Sequence, residues 1–130
     1  MSIKFWKNKE DETIEPTLFS DQAEEFAKKI AGDNQRSKNQ NQQSQLRKFY
    51  DEVVRLDMMA KGLNIKQDID KKKWDNVLPQ VHMLTAKAAY AQGRKLISDN
   101  FLNFIKSSID QIKKPKDLNV FASSHHVLSD

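Results

Sequence analysis

The chain has 130 residues, with three Gly, three Pro and no Cys, and 31% charged against 38% apolar residues. Gly and Pro together fall well below the roughly 12% of an average protein, which argues against turn-rich all-β folds and for helices with few corners. The missing Cys removes disulfides, thiolate metal sites and thiol catalysis together. The net charge of +4 is unevenly placed: residues 1–33 hold five Lys/Arg and eight Asp/Glu, net −3, whereas 34–130 hold 17 and 10, net +7. A weakly acidic head thus precedes a basic body, which reads either as ordinary solubility or as a surface that meets a polyanion. No apolar run approaches the roughly 20 residues of a membrane span, and the N-terminus lacks the apolar segment of a signal peptide. A cytoplasmic protein without a membrane role is expected.

Residues 1–17 carry mixed charge and Pro16, with no sustained period, and read as a flexible or partner-bound arm. Phe5 and Trp6 are too apolar for a solubility tail and are expected to dock on the domain or on a neighbour. Residues 18–130 read as a single helical domain. A first helix is predicted over 21–31: Ser20 can cap it, Asp21, Glu24 and Glu25 favour its positive start, and Gly32 can take the left-handed position after its end. Phe19, Ala23, Phe26, Ala27 and Ile30 form its apolar stripe. Residues 33–45, DNQRSKNQNQQSQ, are low-complexity and polar and read as a linker, with phosphate contact as a second possibility.

A second helix is predicted over 44–61, stopped by Gly62. At about 100° per residue, Leu46, Phe49, Tyr50, Val53, Leu56 and Ala60 share one face, while Arg47, Lys48 and Arg55 fall opposite. Residues 64–76 read as a Lys- and Asp-rich connection, with Trp74 just before the next helix. Pro79 suits the first turn of a third helix over 78–95, whose core face is Leu78, Val81, Leu84, Thr85, Ala88, Ala89, Gln92 and Leu96. Asp99 can cap a fourth helix over 99–113 that buries Phe101, Phe104, Ile105, Ser108, Ile109 and Ile112; Pro115 ends it. Asp117 can cap a last segment with Leu118, Phe121 and Val127. No strand pair is signalled. The fold class is therefore all-α, a compact bundle of about five helices with a flexible N-terminal arm.

The residues argue against catalysis. The three His (His82, His125 and His126) do not share a ligand point, the glycines stand about 30 residues apart rather than in a phosphate-cradling cluster, and no Ser sits in an activating context. Asp51 and Asp57 have no carboxylate partner on the core side. No cofactor and no metal are expected. One cluster is informative. Lys87, Tyr90 and Arg94 follow an i, i+3, i+7 spacing, with Met83 and Gln80 above them, and the five span about 80° of the helix, opposite Val81, Leu84 and Ala88. A ring that merely covers cationic stems accounts for this. So does a polyanion-facing stripe, in which Lys and Arg meet phosphates and Tyr stacks on a base or hydrogen-bonds a sugar. Arg47, Lys48 and Arg55 extend the stripe if the two helices pack side by side.

The stretches QLRKFYDEVVRL (45–56) and LPQVHMLTAKAAYAQGR (78–94) together resemble the small α-helical subunit of type III-A CRISPR effector (Csm) complexes, the subunit numbered two. The likeness rests on Gln45 to Tyr50 with Val53 and Leu56, on Leu84, Lys87 to Ala91, Gly93 and Arg94, and on the Phe-bearing helix at 101–112 with another after Asp117. It covers about 45–121. The resemblance implies a helical bundle without catalytic residues, several copies of which line a crRNA-guided ribonucleoprotein beside the backbone and large subunits, holding the guide–target duplex. It implies that Arg47, Lys48, Lys87 and Arg94 face crRNA and target RNA, with Tyr90 as the motif's aromatic; Arg55 joins them from the helical wheel alone. The chain departs from the family in its acidic arm, its Asn/Gln linker and a short C-terminus ending FASSHHVLSD. The rival readings are a helical protein-interaction adaptor without nucleic acid, using an exposed Phe5 and Trp6 and the acidic arm to hold a partner, and a small DNA-binding helical domain.

Overall fold

Apolar residues three and four apart on successive helices set the architecture. The computed structural model describes residues 4–8, 10, 13–16, 21–37 and 39–129, with side chains of 125–129 excepted. Among them, β1 (Trp6–Asn8) and β2 (Thr13–Ile14) precede α1 (Asp21–Arg36), α2 (Gln43–Ala60), α3 (Asp68–Gly93), α4 (Asp99–Asp110) and α5 (Pro115–Ser129). The molecule is the expected all-α bundle, built chiefly from α2 against α5, α3 against α4, and α2 against α3. Phe49, Val53, Leu56 and Ala60 of α2 are buried, as are Phe101, Phe104, Ile105, Ser108 and Ile109 of α4 and Ile112 just beyond it. An aromatic chain crosses the core: the Phe26 ring lies 4.6 Å from Phe104, Phe49 lies 5.8 Å from Phe101, and Phe104 lies 5.9 Å from Phe121.

Three local readings are corrected. First, α1 does not end at residue 31; it runs through Gly32 to Arg36, so the polar stretch from 33 is helical at its start. Tertiary bonding carries it onward: buried Asp33 accepts from Arg36 and from Asn100 Nδ2 at 3.0 and 3.1 Å. Second, α3 begins at Asp68, ten residues early, and Pro79 lies inside it. The buried series Trp74, Val77, Val81, Leu84, Ala88 and Ala91 keeps a strict 3–4 alternation on both sides of the proline, so packing outweighs the local break. Ala89, assigned to the core face, is exposed, and Ala91 takes its place. Third, the arm contains a strand pair, antiparallel with Trp6 opposite Ile14. Strands of three and two residues carry almost no pattern of their own; anchoring sets them. Phe5 is fully buried and stacks 6.0 Å from Phe121, Phe5 N donates to Gln111 Oε1 at 2.9 Å, and Trp6 Nε1 donates to Asp117 Oδ1 at 2.8 Å. Phe5 and Trp6 thus dock on their own domain. Ser20 and Phe19, and the side chains of Val127, His125 and His126, lie outside the described residues.

Two side chains join the elements. Asn41 adopts a left-handed φ of 54°, which Asn tolerates better than most residues. Its N–H donates to Leu96 O (2.9 Å), its amide donates to Ser98 Oγ (2.9 Å) and Asn34 Oδ1 (3.2 Å), and its Oδ1 accepts from Ser98 N (2.9 Å). The segment before α2 is thereby tied to the α3–α4 turn. Asp117, also buried, accepts from Lys113 N (2.8 Å) and Lys114 N (3.1 Å), satisfying the two amides just ahead of α5. Pro115 opens that helix rather than only closing the one before.

Candidate nucleic-acid interface

α2 and α3 run antiparallel, joined by a short turn in which Gly62 takes a φ of +80°. Their apolar faces point inward, which leaves a seam along the outer margin. On α2 the margin is the i, i+3, i+7, i+10 series Gln45, Lys48, Glu52 and Arg55. On α3 it is Gln80, Lys87 and Tyr90. These margins enclose a groove of about 350 Å³ lined by Lys48, Glu52, Lys87 and Tyr90, with Phe49 and Leu84 in its floor.

The groove brings Lys48, Lys87 and Tyr90 together from two helices. Tyr90 is 69% exposed. The Arg94 guanidinium, at the C-cap of α3, sits 5.8 Å from the ring centroid, a cation–π contact. Arg55 points across the seam: its Nη2 donates to Glu52 Oε1 at 2.6 Å and to Gln80 Oε1 at 3.1 Å, and its Nε donates to Glu52 Oε2 at 3.2 Å. It braces the two helices and shares its charge with Glu52. Arg47 is exposed but lies outside the groove, since a step of one residue rotates it about 100° round α2.

From the sequence, Glu52 only dilutes, with Asp51, the charge of Arg47, Lys48 and Arg55; the structure puts it in the groove wall. Its signal was present, four residues after Lys48 and three before Arg55, but it was visible only once α3 fixed which margin of α2 matters. The Arg55 hydrogen bond holds its carboxyl below the usual carboxylate range; the charges of Arg55 and then Lys87 add to this, against the opposing effect of partial burial. Glu52 stays ionised at neutral pH, and the groove is cationic with one fixed anion in its wall. Among the described residues no three His, Asp or Glu side chains gather as a metal site would need. No described helix is long and apolar enough to cross a membrane.

The described residues thus define a small all-α bundle whose two longest helices frame a cationic, aromatic-edged groove. A family model described as Csm2 Type III-A matches residues 14–125, and the chain belongs to that family. It is therefore a subunit of a type III-A CRISPR complex, the small structural one, and works beside the other Csm subunits. No curated protein and no solved structure matches the chain.

Proposed function

We propose that the chain is a non-catalytic, cytoplasmic small subunit that holds the crRNA–target RNA of the type III-A ribonucleoprotein along the α2–α3 groove and supports assembly of the complex in antiviral defence. Lys48, Lys87 and Arg94 neutralise phosphates, Tyr90 stacks on a base or meets a sugar edge, and Arg47 and Arg55 extend the positive field to either side. Further copies of the chain and the backbone and large Csm subunits are its partners. The observation that carries the reading is the convergence of Lys48, Lys87 and Tyr90 from two helices onto one groove beside Arg94. The adaptor alternative would use an exposed Phe5 and Trp6 with the acidic arm, and it loses the two aromatics, which are buried.

Contacts of this kind are dominated by phosphates, indifferent to sequence and weakened by salt. Filter binding of single-stranded RNA at two salt concentrations tests the assignment. The double variant Lys87→Ala with Arg94→Ala is expected to lose about tenfold or more in affinity and to show a shallower salt dependence, by about one unit of slope per phosphate contact removed. Equal binding by the variant and the parent would remove the groove from the interface.

A further inference from the structure

A carboxylate in the wall of a phosphate-binding groove demands a reason. When ionised it only accepts hydrogen bonds, and phosphate oxygens also only accept; bare Glu52 would repel the strand it faces. Two of its lone-pair positions are taken by Arg55. The side chain is 25% exposed, inside the groove lining between Lys48 and Lys87. What remains is an oriented acceptor in the groove wall, held ionised by its neighbours, in the same lining as Lys48 and Lys87. A DNA backbone has no donor to offer it. An RNA backbone has one per nucleotide, the ribose 2′-hydroxyl.

We propose that Glu52 makes the groove select RNA over DNA by accepting a hydrogen bond from a ribose 2′-hydroxyl while Lys48 and Lys87 hold the adjoining phosphates. The inference rests on the groove being the nucleic-acid site and adds a residue that sets its sugar specificity. Arg55 is the positioning residue: bonded to Glu52 on one side and to Gln80 on the other, it fixes the carboxylate against α3.

The full chain can be titrated with oligouridine, oligodeoxyuridine and 2′-fluoro oligouridine of one length, so that the base is constant and only the sugar changes. The fluoro sugar keeps the ribose pucker but lacks the donor. The parent is expected to bind oligouridine about tenfold more tightly than the other two, the size of one hydrogen bond to a charged acceptor. Glu52→Gln, checked for its fold by circular dichroism, is expected to bind all three more tightly and to lose most of the preference, because a neutral amide accepts more weakly. A 2′-fluoro strand that binds as well as RNA, or a preference unchanged in Glu52→Gln, overturns the inference and leaves the groove as an RNA site. The fluoro comparison needs no variant. A parent that binds none of the three overturns the site reading itself.

Discussion

Single polar side chains decide much of this molecule, because a buried polar group left unpaired is costly and most of them find partners; Ser108 Oγ of α4 is buried without one. Asn41 and Asp117 are satisfied with three or more bonds each, and both stand where two elements meet. Asp57 of α2 is satisfied less fully. It accepts from Asn119 Nδ2 of α5 at 3.2 and 3.4 Å, yet burial raises its pKa above the usual value, with the Asn119 bond and the Lys61 charge only partly opposing this. The folded state therefore binds the Asp57 proton more tightly than the unfolded chain does. The sign follows: the group favours folding below the unfolded pKa of about 4, and this contribution is lost as pH rises through the raised folded value. Asp57→Asn removes the titration and keeps an acceptor for Asn119. The difference in Tm between variant and parent should grow in the variant's favour as pH is raised from about 4 to 7. A difference that stays flat over that range would refute the titration.

At the level of the helix, local signals and tertiary demand agree in α2 and α4 and part company in α1 and α3. The amphipathic spacings of α2 and α4 were legible because each apolar position is also a packed one, from Phe49 to Ala60 and from Phe101 to Ile109. In α3 the proline signals a start, and residues 64–76 before it read as a connection. Lys71, Lys72 and Lys73 are good helix formers, and Trp74 and Val77 already carry the core spacing, but their partners lie far along the chain: Trp74 Nε1 donates to Lys113 O at 3.2 Å. In α1 the glycine was read as a stop, whereas Asn100, 67 residues on, holds Asp33 in the next half-turn. Gly32 is thus a helix-interior glycine with no need of its freedom, and a Cβ built there meets nothing within 4 Å. Gly32→Ala should stabilise the protein by roughly 1 kcal/mol through helix propensity and a less flexible unfolded chain. Urea denaturation reads this as a higher midpoint at constant m. An unchanged or lower midpoint would mean that α1 does not persist through position 32.

Across the molecule, the split of charge into an acidic head and a basic body was plain in the sequence, and so were Lys87, Tyr90 and Arg94 as one stripe. Their meeting with Lys48 was conditional on side-by-side packing, and the exclusion of Arg47 and the place of Glu52 required the seam itself. The head was the least legible part. Its strands are too short to show a pattern, and their anchors, Gln111, Asp117 and Phe121, lie more than 100 residues away. The family match begins only at residue 14, so β1 and Phe5 are additions to what the family model covers. They are nonetheless built into the core: Phe5 is fully buried, Trp6 reaches a buried carboxylate, and Lys4 and Gln22 exchange two hydrogen bonds, at 2.8 and 3.1 Å, that tie the strand to α1. A segment held this way should unfold with the bundle as one cooperative unit rather than fray ahead of it. Trp6 and Trp74 are the two tryptophans, so Trp74→Phe leaves Trp6 as the reporter of the head, while far-UV circular dichroism reports the helices. The two urea transitions should coincide in midpoint and m. A fluorescence change that precedes the loss of helicity would show instead that the head is a separate, weaker unit resting on a bundle complete without it.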